Sequence, residues 1–587
     1  MPALRPLPIL IGAVVLCLAN GAAAGDAASA GPAACVGDCN GDRLVSVDEV
    51  VLGVAAALGA APPSHCASFD ADHDGRVTMG ELLMAVNGLL LGCRGEDPRP
   101  NVVVIMTDDL DVASTDRMLD AGLMPNLWRY LVDGGMTFTQ SFVSNSLCAP
   151  SRATFLTGQY PHNHLVRTNL APMGSVLALD DHSTLGTWLH QAGYRTGLVG
   201  KYLNGYGVYT DAAYVPPGWD DWQALVDPST YVVYDYVVND NGRLQTYGDA
   251  AVDYQTDVLA QRAARFIMRS AGTPFFLWVT PLAPHFELLW PTGEASVQEA
   301  QWALTIRPAP RHAGSVAIDL PRPASFDEVD VSDKPSWLQA DPPLTSKNIA
   351  DLTGQYRDRL TALRAVDDLI GTVVEALQRI GELERTVLIF TSDNGWLSGE
   401  HRLSGKQCAY EECIRVPLFI RAPHVPGGQV SEELVVNNDL APTIAAFAGA
   451  APGRPFDGRS IVPLLADPAR PEWRRRFAVE HLYGASQELD PPTYVAVRTG
   501  AADVCGAQVY VEYDADPGPS ATELYDLTLD PMELNSLHAD PGPARAQERA
   551  SLAGWVPGLS SCAEVSCQAL EDEPGAVACT APTGAAP

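Results

Sequence analysis

The chain has 587 residues, 47% of them hydrophobic, and carries a formal charge of −33. That length exceeds what one small core needs and argues for two to four domains. The charge is spread without long acidic runs, so it is no disordered acidic tail; it repels polyanions, which excludes nucleic acid as a partner and disfavours a densely sulfated polymer unless the cleft itself is basic.

At the start of the chain, Arg5 precedes an apolar run over residues 9–19, followed by Ala22-Ala23-Ala24. The run is too short to span a bilayer comfortably, and the alanines match a small-residue cleavage site. Residues 1–24 therefore read as an export signal. The protein is expected to be secreted, periplasmic or extracellular, without a membrane span once the signal is removed. Twelve cysteines in an exported chain predict disulfides, whose connectivity the sequence leaves open.

Residues 35–93 contain a repeat. Asp38, Asn40, Asp42, Ser46 and Glu49 stand at loop positions 1, 3, 5, 9 and 12, and Asp70, Asp72, Asp74, Thr78 and Glu81 repeat the pattern. Oxygen side chains at that spacing wrap a calcium ion. Gly75 fills the sharp-turn position of the second loop, whereas Arg43 occupies it in the first. Each loop leads into an apolar helical stretch, residues 50–58 and 82–91. The unit resembles an EF-hand or dockerin-like pair, which implies bound Ca²⁺ and either a tether to a scaffold protein or a structural staple.

Residues 94–100 read as a linker. The apolar run 102–106 has the character of a strand buried on both faces. Similar runs recur at 197–200, 275–280 and 387–391, with a helical candidate over 352–380. This alternation predicts an α/β fold with a large mixed sheet sandwiched by helices over 101–458. A smaller C-terminal α+β subdomain over 459–553 has hairpin strands near 494–498 and 508–513. A tail over 554–587, rich in Cys, Pro, Ala and Gly, is expected to be peripheral.

Two of the predicted strands end in oxygen ligands. The first leads into Asp108-Asp109, the last into Asp393-Asn394-Gly395. Carboxyl ends of strands in open α/β sheets face the ligand crevice, and paired acids there suit a hard divalent cation. Taken singly, the first pair reads as a helix cap and the second as a turn.

A larger pattern joins them. Cys148-Ala149-Pro150-Ser151-Arg152 runs on to Leu156-Thr157-Gly158; then come Gly200-Lys201, Ala283-Pro284-His285, Asp393-Asn394-Gly395, Lys406 and Glu523-Leu524-Tyr525-Asp526-Leu527. In this order the motifs resemble the sulfatase family of the alkaline-phosphatase superfamily, over roughly residues 99–540. The resemblance implies that Cys148 is oxidised by formylglycine-generating machinery to Cα-formylglycine, whose hydrate is the nucleophile. It implies that Asp108, Asp109, Asp393, Asn394 and the modified Cys148 hold Ca²⁺ or Mg²⁺. Arg152 would orient the hydrate. Lys201, His285 and Lys406 would grip the sulfate, with His285 also protonating the departing alcohol. His401 is a candidate to support the metal ligands from behind, while His162 and His164 are left unassigned. Setting aside Cys17 and Cys148 leaves an even number of cysteines for disulfides.

Leu203 stands where many sulfatases carry a histidine. The Gly-Lys-Tyr-Leu-Asn form resembles glucosamine-6-sulfatases and heparan-sulfate endosulfatases, and it leaves the base to Asp393 or to a histidine elsewhere. The expected substrate is a sulfated small molecule or saccharide such as 6-O-sulfated N-acetylglucosamine. Tyr206, Trp219, Trp222 and Tyr231 are read first as core aromatics, with stacking on a sugar or aryl ring as the alternative. Competing readings are an aryl sulfatase, a phosphonate or phosphate ester hydrolase of the same superfamily, and a non-catalytic binding protein attached to a scaffold.

Overall fold

The computed structural model describes residues 36–40, 45–70, 75–91, 99–289, 301–302, 305–470, 472–484, 489, 491–514 and 521–575. The export signal, Asp42, Asp72, Asp74 and most of the linker lie outside the described residues. The chain divides into two units, residues 1–98 and 99–587.

In the first unit, Ser46 caps helix α1 (Val47–Ala57) and forms a capping box with Glu49. The Glu49 carboxylate accepts hydrogen bonds from the Ser46 and Cys39 amides at 2.7 and 2.9 Å. The repeat does the same ahead of helix α2 (Met79–Leu91), where Glu81 accepts from the Thr78 amide at 2.7 Å. Reciprocal capping satisfies amides that a helix start leaves orphaned. Phe69, Val45, Val77, Leu82 and Ala85 form a small core, stapled by the Cys39–Cys66 disulfide. Cores this small gain much of their stability from such cross-links.

The second unit is built on a ten-stranded mixed sheet. Its strands are β1 (Asn101–Thr107), β2 (Met136–Phe138), β3 (Arg195–Gly200), β4 (Asp221–Leu225), β5 (Val237–Asp240), β6 (Arg243–Thr246), β7 (Phe275–Thr280), β8 (Thr386–Ser392), β9 (Leu418–Arg421) and β10 (Gln429–Ser431), arranged β10-β2-β9-β8-β1-β7-β3-β4-β5-β6. The five central strands from β8 to β4 are parallel and are flanked on both sides by antiparallel partners, β9 and β5, with β10 pairing parallel to β2 at the far edge. Alternate residues of β1 face separate cores. Val103 and Ile105 pack with helices α4 (Gln255–Arg269) and α5 (Ser346–Arg379) on one face. Val102, Val104 and Met106 pack with helix α3 (Cys148–Thr157) on the other. Burial on both faces explains why β1 reads as a continuous apolar run.

Register sets the site. Thr107 lies opposite Ser392 and Gly200 opposite Thr280, so four parallel strands release their following residues at one edge. At Gly200 (φ +123°) a Cβ would fall 2.2 Å from the Thr280 carbonyl oxygen. Glycine is required there to let the chain turn toward the edge.

Besides short two-stranded pairings, a four-stranded antiparallel meander is formed by β11 (Arg476–His481), β12 (Tyr494–Thr499), β13 (Gln508–Tyr513) and β14 (Ala521–Asp526). Helix α6 (Pro543–Leu559) packs on it and α7 (Val565–Asp572) follows. The expectation of a peripheral tail fails here. Glu571 on α7 is fully buried and accepts hydrogen bonds from Tyr160 Oη at 2.6 Å, Arg474 Nε at 2.8 Å and Arg459 Nη2 at 2.9 Å. Composition hid this, because the few residues that anchor the segment, Glu571 with its matched donors and the buried Leu559, Cys562 and Cys567, are diluted among small and polar ones.

Candidate active site

Each residue singled out around the cysteine motif arrives at the carboxyl edge of the parallel strands. Asp108 and Asp109 follow β1, Lys201 follows β3, His285 lies beyond β7, and Asp393 and Asn394 follow β8. Cys148 is the first residue of α3, and among the described cysteines it is the free thiol. The Asn169 side chain accepts a hydrogen bond from the Ala149 amide at 2.9 Å and fixes that helix start. Helix N-termini favour negative charge, so position 148 is suited to a reaction that builds it.

Around Cys148 Sγ stand Lys406 Nζ at 3.0 Å and Asp108 Oδ1 at 3.5 Å. Lys201 Nζ donates to Asp108 Oδ2 at 2.6 Å, and Lys406 Nζ to Asp109 Oδ1 at 2.6 Å. Arg152, four residues along α3 from Cys148, donates from Nε to Asp393 Oδ2 at 2.8 Å and from Nη1 to the Lys201 carbonyl at 2.9 Å. His285 donates from Nδ1 to the Phe286 carbonyl at 2.7 Å, since a carbonyl can only accept. Its Nε2 then faces Asp109 Oδ2 at 3.5 Å. Asn394 Nδ2 donates to Asp109 Oδ1 at 2.7 Å.

All these side chains are buried. Burying an ion costs several kcal/mol unless it is paired, so a cluster of this composition persists only through its internal partners. Burial acts to raise Asp108, but Lys201, His285 and Arg152 hold it well below the ordinary carboxylate range. Burial and the nearby Asp108 push Asp393 up to about 6 despite Arg152. Burial also lowers His285 and raises the Cys148 thiol. Arg152, Lys201, Lys406 and Arg359 stand among Asp108, Asp109 and Asp393, with Asp111 beside Arg359 and Asp227 near Lys201, so cations gather at this edge in a protein of charge −33.

Two oxygens break the pattern of full satisfaction. Asp109 Oδ2 and Asn394 Oδ1 are buried without a hydrogen-bond partner. Asp108, Asp109, Cys148 and His285 each offer a ligand atom, and these four atoms lie within 4.8 Å of one another. Orphaned hard oxygens on adjacent strand ends fit a divalent cation.

Some neighbours gave no sequence signal of their own. Arg359 on α5 donates to the Asp109 carbonyl and, at 3.1 Å, to the Pro284 carbonyl, tying the two loops together. The available clue was an arginine one helical turn after Tyr356 on a buried stripe. Asp227 accepts from the Gly205 amide at 2.6 Å, and burial pushes it up to about 6. The Tyr231 ring lies 4.8 Å from Lys201 Nζ and 5.3 Å from the His285 ring. Tyr206, Trp219 and Trp222 instead pack on one another in the core.

The histidines separate. His401 donates from Nδ1 to Glu328 Oε2 at 2.7 Å and stacks on Tyr410, and so lies outside the group gathered around Cys148. His164 is hydrogen-bonded to Thr154 Oγ1 at 3.0 Å, and burial lowers it to about 3. His162 pairs with Glu480. Leu203 is buried among apolar neighbours.

Paired acids, two lysines, an arginine and a histidine thus gather around one helix-initiating cysteine at the carboxyl edge of a large mixed α/β sheet. The chain belongs to the sulfatase family and is a sulfuric ester hydrolase. The Sulfatase family model matches residues 100–450, and that of the N-sulphoglucosamine sulphohydrolase C-terminal region matches residues 399–552. The N-acetylglucosamine-6-sulfatase of Homo sapiens is 33% identical over 498 residues, 78% of this chain and 84% of that protein. An arylsulfatase of Volvox carteri is 33% identical over 506 residues, 80% of this chain and 76% of that protein. Among solved structures, a protein in complex with its substrate D-glucosamine-2-N,6-O-disulfate superposes with TM-score 0.62 at 24% identity, covering 78% of this chain and 97% of that one. The phosphonate monoester hydrolase of Agrobacterium radiobacter gives 0.60 at 22%, covering 78% and 95%. These two structures speak to the fold alone.

Proposed function

We propose that the protein removes the 6-O-sulfate from an N-acetylglucosamine unit, as a secreted formylglycine-dependent sulfatase. The observation that carries this reading is the convergence of Lys201, Lys406, Asp108 and Asp109 on the buried side chain of residue 148. The relatives named N-acetylglucosamine-6-sulfatase support the substrate.

Asp108, Asp109, Asp393 and Asn394 would hold a Ca²⁺ or Mg²⁺ ion, which when bound supplies Lewis-acid stabilisation of charge on the sulfate oxygens. An aldehyde at position 148, when formed, supplies as its hydrate one oxygen to attack and a second to expel sulfate. The rest falls to side chains of the chain itself. Lys201 and Lys406 place two ammonium groups where a sulfate would sit, and Arg152 fixes Asp393 beside them. His285 Nε2 can hold a proton at the leaving oxygen, because the Phe286 carbonyl commits Nδ1 as a donor. The Tyr231 ring lies against Lys201 Nζ and the His285 ring. With Leu203 apolar, Asp393, held by Arg152, is the group available to take a proton from the nucleophile.

The decisive experiment is peptide mass spectrometry of position 148 in protein from the native host, together with turnover of 6-O-sulfated N-acetylglucosamine, an aryl sulfate and a phosphonate monoester. An unmodified thiol with no sulfate release overturns the reading. A preference for the aryl ester favours the reading supported by the Volvox carteri relative. In the N-terminal unit we infer that Asp38, Asn40, Asp42, Ser46, Glu49, Asp70, Asp72, Asp74, Thr78 and Glu81 bind Ca²⁺. The buried, unpartnered Asp70 Oδ1 supports this, and calorimetric Ca²⁺ titration of full-length protein with and without Asp70→Ala tests it.

A further inference from the structure

A second group of buried side chains lies behind the Asp393-Asn394-Gly395 turn. His401, Glu412 and Glu533 each offer one ligand atom, and these atoms lie within 4.8 Å of one another; the atoms that other contacts leave over on these side chains are His401 Nε2, Glu412 Oε2 and Glu533 Oε1. All three atoms are buried and none has a hydrogen-bond partner. His401 is fully buried and Glu533 is 1% exposed. We propose that His401, Glu412 and Glu533 bind a second divalent metal ion of the zinc class, which fastens the catalytic Asp393-Asn394-Gly395 turn to the C-terminal subdomain.

The donor chemistry favours such an ion over a chance cluster. The Glu328 carboxylate accepts from His401 Nδ1 at 2.7 Å, which fixes the tautomer and turns the lone pair of Nε2 inward. A carboxylate on the far nitrogen is the usual support of a metal-bound histidine. Glu328 is neutralised in turn by Lys334 at 3.6 Å. Glu533 Oε2 is committed to the Glu411 amide at 2.9 Å, which leaves Oε1 for the ion. Among the described residues no ammonium or guanidinium pairs with the Glu412 or Glu533 carboxylates. Two carboxylates and one divalent cation make a neutral set, whereas two unpaired carboxylates at this depth repel. One imidazole nitrogen with two carboxylate oxygens suits zinc rather than calcium. Zinc ligands on bonds of about 2.0–2.1 Å lie roughly 3–4 Å apart, so small side-chain shifts close the set.

The position gives the ion a purpose. The Glu412 carbonyl accepts the Trp396 amide at 2.9 Å and the Cys413 carbonyl accepts the Gly395 amide at 2.9 Å. A Cβ on Gly395 would fall 2.0 Å from the Glu412 carbonyl oxygen. The Glu412 backbone therefore buttresses the loop that carries Asp393 and Asn394. The Cys408–Cys413 disulfide closes the same segment, and Glu533 reaches it from beyond β14.

The test uses full-length protein stripped with chelator and reloaded with Zn²⁺ in the presence of Ca²⁺. Anomalous diffraction at the zinc edge is expected to show a peak between His401, Glu412 and Glu533. Elemental analysis is expected to show one Zn²⁺ fewer per chain in Glu533→Gln and His401→Gln than in wild type. Glu328→Gln, which spares the ligands, should weaken Zn²⁺ binding ~10–100-fold. No anomalous peak at this place in zinc-loaded wild type overturns the proposal, as does equal zinc content in folded variants. Should both ligand variants fail to fold, the wild-type anomalous map decides alone.

Discussion

The centre around Cys148 and the network around Glu571 are both buried and both built from carboxylates and guanidinium groups, yet they differ in what they leave undone. At Glu571 both carboxylate oxygens are taken, by Tyr160 and by Arg474 and Arg459, and Arg474 in turn pairs with Asp439. At Cys148 the lysines and Arg152 fill most positions, but Asp109 Oδ2 and Asn394 Oδ1 stay open. Arg459 Nε in the first network and Arg152 Nη2 in the second also lack a hydrogen-bond partner, so what separates the two is that the Glu571 carboxylate is fully used while the centre at Cys148 leaves hard oxygen donors over. Burial and charge alone do not distinguish the two.

The sharpest way to break this contrast is at the nucleophile. Cys148→Ala should lower sulfatase kcat at least ~10⁴-fold, the scale on which a catalytic unit fails when its nucleophile is lost. The melting temperature should change little, and steady-state assay with calorimetry checks both. Lys406→Ala and Lys201→Ala should each lower kcat/KM about 10²–10³-fold by removing a donor to developing charge. A comparable loss from a variant such as Lys347→Ala, a surface pair on α5, would show that position near residue 148 is not what matters.

At the other network the effect should appear in stability. Glu571→Gln weakens the hold on Arg474 and Arg459, which keep Asp439 and Asp572 as counter-charges, and should cost about 1–3 kcal/mol, with kcat of the folded fraction near wild type; denaturant unfolding and assay of the same samples compare the two. The smallest effect concerns His162. Burial opposes its charged form, but Glu480 outweighs it and raises the folded value above the ordinary histidine value. A group raised on folding stabilises fully below its unfolded pKa, near 6.5, and loses that contribution as pH rises through the folded value. His162→Gln should therefore be less stable than wild type at pH 5.5, by on the order of 1 kcal/mol. The two unfolding curves should draw together under alkaline conditions.

That the side chains of the candidate site come together around Cys148 was legible in the chain because they sit in local motifs. Cys148 and Arg152 are one helical turn apart, and Asp108-Asp109 and Asp393-Asn394 directly follow apolar runs that can only be buried strands. Arg359 and Asp227 were not legible, since an arginine in a long helix and an aspartate in a loop look like solvated residues until the fold buries them. His401 lies close in sequence to the metal motif, but the chain turns at His401 and Arg402 with φ of 53° and 67°, and the ring joins Glu328 instead. The tail misled for the opposite reason, because a few buried residues such as Glu571 and Leu559 outweigh their small and polar neighbours, and nothing along the chain marks which these are.

By itself, then, the sequence determined the kinds of chemistry available: which side chains are present, in what order, and which apolar runs must be buried, since these depend on neighbours along the chain. Tertiary structure decided how the strands align, with Thr107 opposite Ser392 and Gly200 opposite Thr280. It also decided which buried oxygens found partners and which did not. Those outcomes depend on pairing residues far apart along the chain, as Thr107 with Ser392, where local propensity carries no information and only packing can choose.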